Sequence, residues 1–228
     1  MHTVESLPRN KPMKKSLLIA ALTLASVLAF AAPHNEFYYQ RASLFDTLGV
    51  DSTNVVFFGN SLTNGCEWSE LLDMPNAVNR GISGDIVQGL IDRAESVTKG
   101  QPAKIFILIG VNDLSHDVTP DSISRATEIL IDKIQAESPR SQIYLQSMLP
   151  FNLNFGRYKA LTGHEQDVVI GNELNKAMCA RKGIPYIDLY SLMVDENGNL
   201  RADLTNDGLH LLGPAYLIWK EALLPYLE

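Results

Sequence analysis

The chain has 228 residues, 46% of them hydrophobic and 20% charged, which suits one ordinary domain with a real core and is too short for two α/β domains. Its formal net charge of −7 excludes a surface built to hold nucleic acid, which needs the opposite sign, although one small anionic ligand stays open. Aromatic and aliphatic residues are spread along the chain, which excludes wholesale disorder.

Lys14 and Lys15 precede an apolar run from Leu17 to Ala31, and Ala29-Phe30-Ala31 puts small residues at the two positions a signal peptidase inspects. The run is shorter than the about 20 residues of a membrane span. Residues 1–31 are therefore expected to be a signal peptide, with an upstream extension before a start at Met13; an uncleaved anchor is the lesser reading. No cysteine follows the run to carry a lipid, so no stable membrane anchor is expected. The mature protein, residues 32–228 as a single domain, is expected to be exported to a periplasm or secreted. Losing residues 1–31 removes four cations (Arg9, Lys11, Lys14, Lys15) and one anion (Glu5), leaving a net charge of −10.

A short polar lead from Pro33 to Asn54 comes next. Asn54 to Phe58 is an apolar strand stopped by Gly59, and Ala77 to Asn79 is a short second one. Asp85 to Lys99 reads as one helix, with Ile86, Val87, Leu90, Ile91, Ala94 and Val97 at helical spacing. Lys104 to Ile109 is the clearest buried strand. Thr119 then caps a helix with Pro120 at its first position, whose expected buried residues are Ile123, Ala126, Ile129, Leu130 and Ile134. Strands follow at Gln142 to Met148 and Ile184 to Leu189, flanking a helix from Glu165 to Lys182 that Gly183 closes. A last helix covers Pro214 to Leu227. Nearly continuous apolar strands alternating with helices predict a doubly wound α/β sandwich on a five-stranded parallel sheet.

In such sheets ligands sit outside the carboxyl ends of the strands. Four distinctive loops are delivered there: Gly59-Asn60-Ser61-Leu62-Thr63, Asn79-Arg80-Gly81-Ile82-Ser83-Gly84-Asp85, Gly110-Val111-Asn112-Asp113 and Asp207-Gly208-Leu209-His210. Acyl transfer needs a hydroxyl, a base to take its proton and a carboxylate to orient the base. Ser61, His210 and Asp207 are the candidates, in the chain order Ser…Asp…His of other α/β hydrolases. A tetrahedral intermediate needs oxyanion donors, for which the Ser61 N–H, the Gly84 N–H and the Asn112 side-chain amide are candidates. Taken singly, each motif also has a plain structural reading: a helix cap, a turn, a core histidine. His116 is the rival base but lacks the Asp-x-x-His context.

These four blocks resemble those of the SGNH hydrolases, also called GDSL esterases, from about Asn54 into the last helix. The resemblance implies a flavodoxin-like three-layer sandwich, Ser61 as nucleophile, His210 as base, Asp207 as its partner, and Ser61, Gly84 and Asn112 as the oxyanion hole. One departure is Asn60, where the family usually has aspartate: an amide keeps neutral hydrogen bonds in the turn but not a charge. Phe57-Phe58-Gly59-Asn60-Ser61-Leu62-Thr63 and Asn79-Arg80-Gly81-Ile82-Ser83-Gly84-Asp85 are similar to exported bacterial sialate O-acetylesterases and to the platelet-activating-factor acetylhydrolase type. That likeness implies short acyl, chiefly acetyl, esters on a small molecule or glycan such as O-acetylated sialic acid. A lysophospholipase- or thioesterase-like lipid hydrolase and a catalytically silent carbohydrate-binding module are the alternatives.

Further residues stay double in meaning. Trp68 lines an acyl or sugar pocket or packs in the core. Arg80 binds a substrate carboxylate or pairs with Asp85 or Asp113. Phe151 and Asn152, just past the fourth strand, are expected at the mouth of the site. His164 is expected to start a surface helix. Cys66 and Cys179 read as free buried thiols, with a disulfide left open. No His-x-x-x-His pair, clustered cysteines or glycine-rich phosphate loop occurs, so neither a metal nor another cofactor is expected.

Overall fold

A run such as Val55-Val56-Phe57-Phe58 has β-branched and aromatic side chains with no polar face, and is stable only when covered on both sides. The computed structural model describes residues 34–227, and in it all five strands are parallel and covered in this way. They are β1 (Val55–Gly59), β2 (Ala77–Gly81), β3 (Lys104–Leu108), β4 (Gln142–Gln146) and β5 (Tyr186–Ile187), in spatial order β2-β1-β3-β4-β5. β1 is central enough to pair on both sides, Val56 lying between Val78 and Ile105. The expected signal peptide lies outside the described residues. Among the described residues no helix is long and apolar enough to cross a membrane.

Alternation along the strands divides the core in two. Val56 and Phe58 of β1, Ile105 and Ile107 of β3, and Ile143 and Leu145 of β4 face one layer. Val55 and Phe57, Phe106 and Leu108, and Tyr144 face the other. In chain order the helices are α1 (Glu36–Leu48), α2 (Ser61–Asn64), α3 (Trp68–Leu72), α4 (Val87–Asp92), α5 (Glu95–Thr98), α6 (Val111–Leu114), α7 (Pro120–Glu137), α8 (Glu165–Lys182), α9 (Tyr190–Met193) and α10 (Gly213–Leu223). Helices α4, α5, α7 and α8 cover the first face; α3 and α10 cover the second with Trp68 and Trp219. This is the three-layer α/β sandwich that the alternation predicts.

Local chemistry explains several ends. The Thr119 hydroxyl accepts the Ser122 N–H at 3.3 Å, with Pro120 opening α7. Gly183 closes α8 in a left-handed conformation, φ 66°, its N–H bonded to the Cys179 carbonyl.

Four expectations need correction. The polar lead contains α1, capped by the Asn35 side chain on the Tyr38 N–H at 2.9 Å. Its pattern is faint because only Tyr38 and Phe45 are buried while Phe37, Tyr39, Leu44 and Leu48 are exposed. The single helix 85–99 is two short ones, α4 and α5, broken at Arg93, whose guanidinium turns inward. On α7 it is Ile131 that is buried, while Ile129 is 58% exposed. β5 is two residues long rather than 184–189, because only Tyr186 and Ile187 pair with β4.

Candidate active site

The chain leaves β1 for β2 on one side and returns past β1 to β3 on the other, so a topological switch lies between β1 and β3. There the loops after both strands diverge and leave a crevice. Ser61 enters it as the first residue of α2, directly after β1. Asn60 caps that helix, its Oδ1 accepting the Leu62 N–H at 3.1 Å, while its Nδ2 is buried with no partner among the described residues. The turn is tight: a Cβ on Gly59 would stand 2.3 Å from the Leu108 carbonyl, and one on Gly81 would stand 2.3 Å from the Asn64 nitrogen.

Asp207 and His210 lie on the loop after the short 3-10 turn Ala202–Leu204. Three residues of spacing lets one carboxylate do several jobs. Asp207 Oδ1 accepts the backbone N–H groups of Leu209 at 2.9 Å and His210 at 2.8 Å. Its Oδ2 stands 2.8 Å from His210 Nδ1. Thr205 braces the loop, accepting the Gly208 N–H at 2.9 Å and donating to the His210 carbonyl at 2.7 Å. Gly208 has φ 91°, and a Cβ there would stand 2.2 Å from the Asn152 carbonyl, so only glycine fits.

The other ring nitrogen, His210 Nε2, stands 3.0 Å from Ser61 Oγ. The Asp207 side chain is 12% exposed and that of His210 38%, so the carboxylate is sheltered while the imidazole is reachable. Burial opposes the charge on Asp207, but donors from His210, Leu209 and Tyr158 outweigh it and hold the carboxyl below the usual range. A carboxylate that stays ionised, bonded to Nδ1–H, leaves Nε2 free to take a proton from Ser61.

The candidate oxyanion donors leave the same edge. The Ser61 N–H, at the start of α2, has no carbonyl one turn back to bond. Gly84 has φ 80°, and a Cβ there would meet nothing within 4 Å, so its backbone borders open space. Asn112 Nδ2 donates one hydrogen to the Asp85 carbonyl at 2.8 Å, and its second hydrogen can serve a ligand. Both oxygens of Asp113 accept the Val87 N–H at 3.2 Å, so Asn112 and Asp113 together hold the loop carrying Gly84. Burial pushes the Asp113 carboxyl up to about 7.

The side chains expected as substrate contacts are buried rather than open to the crevice. Trp68 is 1% exposed, stacked on Phe57 at 3.9 Å, with its indole N–H on the Thr63 carbonyl at 2.9 Å. Phe151 is buried in the core. Asn152 is buried too, its amide donating to the Leu200 carbonyl at 2.9 Å and its Oδ1 accepting from Asn154. These residues follow the strands in sequence, yet their backbones turn the side chains inward. Arg80 is 4% exposed and pairs with neither Asp85 nor Asp113; its terminal nitrogens donate to the carbonyls of Asn79 and Gly49. Asp85 pairs instead with Arg93, at 2.9 Å. Arg93 also donates to the carbonyls of Arg80 and Gly59, tying the ends of β2 and β1 to the Gly84 loop. His164 stands just before α8 without a side-chain capping bond, its ring nitrogens facing Asp167 and Asp117. Cys66 and Cys179 are free, buried thiols, pushed up by burial to about 12 and about 11.

Sequence reasoning misses Tyr158. Its hydroxyl donates to Asp207 Oδ2 at 2.9 Å and lies 3.0 Å from His210 Nδ1. It sits in irregular chain between β4 and α8, where no periodicity gives a signal.

The sequence model of a family described as GDSL-like lipase/acylhydrolase matches residues 57–216. Platelet-activating factor acetylhydrolase IB subunit alpha1 of Rattus norvegicus is 28% identical over 102 residues, 42% of this chain and 43% of its own, so this chain spans less than half of that curated relative. The structure is similar to that of a candidate platelet activating factor from Streptococcus pneumonia, with TM-score 0.76 and 24% identity over 92% of this chain and 99% of that one. It is also similar to a variant acetyl-xylooligosaccharide esterase from Geobacillus Stearmophilus, with TM-score 0.61 and 17% identity over 77% and 94%. At these identities the structural likenesses speak for the fold.

Proposed function

Since this chain belongs to the GDSL-like lipase/acylhydrolase family, we propose that it is an exported serine esterase removing short acyl groups, acetyl foremost, from carbohydrates. The observation that carries the mechanism is the unbroken relay from Ser61 Oγ to His210 Nε2 at 3.0 Å and from His210 Nδ1 to Asp207 Oδ2 at 2.8 Å. Ser61 Oγ attacks the acyl carbonyl as Nε2 takes its proton. The Ser61 and Gly84 N–H groups and the Asn112 amide receive the oxyanion. His210 then protonates the departing sugar oxygen, leaving an acyl-serine. A water attacks that ester as His210 takes its proton, and His210 returns the proton to Ser61 Oγ as the acid leaves.

The acetyl preference is supported by the names of two similar proteins, an acetylhydrolase and an acetyl-xylooligosaccharide esterase. Arg80, buried and bonded to backbone carbonyls, offers no grip on a sialate carboxylate. Neutral acetylated sugars are therefore preferred to O-acetylated sialic acid. One observation favours a lipid ester instead: a largely apolar groove, lined by Leu71, Pro214, Tyr216 and Leu217 but also by the carboxylates Glu67 and Glu70, lies where the chain leaves the helix that Ser61 begins.

The test is hydrolysis of nitrophenyl esters from acetyl to long-chain by the wild type and Ser61→Ala, with acetylated xylooligosaccharide and O-acetylated sialic acid alongside. Fastest cleavage of acetyl esters by the wild type alone is expected. Rates rising with chain length would move the lipid reading to the front, and sugar binding without any turnover would leave a silent binding module.

A further inference from the structure

Asp207 Oδ2, His210 Nδ1 and the Tyr158 hydroxyl oxygen form a nearly equilateral triangle with sides of 2.8, 2.9 and 3.0 Å. Three short contacts share only two hydrogens. For Nε2 to act as base, Nδ1 must carry the ring proton, so the tyrosine has no acceptor there and its O–H must point at the carboxylate. Asp207 then receives four hydrogens: two backbone N–H groups on Oδ1, and the imidazole N–H and phenol O–H on Oδ2. That fills the acceptor capacity of a carboxylate, and any rotation of the group breaks at least two bonds.

The tyrosine is held for this geometry. Its backbone is left-handed, φ 50°, a conformation that residues with a Cβ adopt at a cost. Its ring meets the imidazole edge-on, with centroids 5.6 Å apart and planes at 71°. The ionisable groups facing the hydroxyl are Asp207 and His210, from the loop after β5, and Arg157 on its own segment.

We propose that Tyr158 is a positioning residue of the triad, locking the Asp207 carboxylate in place and lowering the proton affinity of His210. This rests on the serine-esterase reading. Two effects set the sign. The phenol O–H takes up part of the charge on Oδ2, so that oxygen supports an imidazolium less strongly. The hydroxyl hydrogen, lying along the line to Oδ2, also comes nearer to Nδ1 than the hydroxyl oxygen does. Both favour the neutral ring, and a histidine kept neutral stays available as base at lower pH.

The experiment is Tyr158→Phe in the full chain, read in two ways. The first is the titration of the His210 ring by proton NMR without substrate, which needs no turnover. Its midpoint is expected to rise by about half to one pH unit, a typical effect of losing one charge-assisted hydrogen bond. The second is kinetics on nitrophenyl acetate: kcat should fall by about 3- to 10-fold with KM nearly unchanged, and the acid limb of kcat/KM should move up in pH. Site-specific 3-fluorotyrosine at position 158 keeps the hydroxyl and makes it a stronger donor, so the midpoint should move down; this variant serves if the phenylalanine one folds poorly. An unmoved midpoint in both, or a loss confined to KM, overturns the proposal, and the second would make Tyr158 a substrate contact. If the midpoint moves but the wild type hydrolyses no ester, the positioning role stands and the esterase reading falls.

Discussion

The Ser61 hydroxyl and the His210 ring stand 3.0 Å apart although 149 positions separate them in the chain. Neither side chain is needed for packing, because both are only partly buried. Replacing Ser61 or His210 by alanine is therefore expected to lower kcat at least about 10³-fold while leaving thermal unfolding nearly unchanged. Steady-state kinetics beside a melting curve checks this. Activity within tenfold of wild type in either variant would rule out the serine mechanism.

Asn112 makes a second, separable demand. Its amide is tied at 2.8 Å to the Asp85 carbonyl, which fixes where its other hydrogen points. Asn112→Ala is expected to lower kcat by about 10²–10³ with little change in KM, since the donor acts on charge that develops after binding. A change in KM alone would make Asn112 a ground-state contact.

Asp113 should make stability fall as pH rises. Burial lifts its carboxyl from 3.8 to about 7 in the folded protein. Below pH 3.8 it is neutral in both states and carries no penalty. Between 3.8 and about 7 the unfolded chain gives up its proton first, so unfolding is increasingly favoured, and above about 7 the penalty is complete. Asn cannot ionise and can still accept the Val87 N–H. Asp113→Asn is therefore expected to match the wild type near pH 3.5 and exceed it by on the order of a few kcal/mol at pH 8. Denaturant melts across that range measure the difference, and parallel curves would show that Asp113 does not titrate as its burial implies.

Trp68 tests the difference between core and pocket. Stacked on Phe57 and bonded to the Thr63 carbonyl, it supports α2 from below rather than facing a ligand. Trp68→Phe is expected to cost about 1–3 kcal/mol of stability with kcat/KM on acetyl esters within about threefold of wild type. A specific loss of activity on sugar esters, with stability intact, would return Trp68 to the binding site.

Much of the architecture is legible along the chain. Lys104 to Ile109 reads as a buried strand, because the five apolar residues after Lys104 have no polar face, are too few for a buried helix and are rich in β-formers. Thr119-Pro120-Asp121 announces a helix start, and Gly183 a helix end, through backbone rules that act within a few residues. The candidate nucleophile, base and carboxylate are visible for a related reason: strand ends and a three-residue Asp…His spacing put reactive groups at one sheet edge with little help from the rest of the molecule. Where the pattern is weak the sequence is silent. Helix α1 buries two of its aromatics and exposes others, so its period is lost among polar residues.

What the sequence by itself determined was thus the alternation of elements, the parallel sheet and the edge at which Ser61, Gly84, Asn112, Asp207 and His210 emerge. Tertiary structure alone decided which way side chains point once a loop has left its strand. Trp68, Arg80, Phe151 and Asn152 follow the strand ends in sequence yet turn into the protein, while Tyr158, with no pattern around it, turns onto Asp207. Arg93, at the C-terminal end of a short helix, proves to be the buried tie between the ends of two strands and the Gly84 loop. Periodicity reports which face of a regular element is apolar, because its side chains repeat every 3.6 or 2 residues. Irregular chain has no such period, and there the direction of a side chain is set by distant partners, as Asp207 sets that of Tyr158 from 49 residues away.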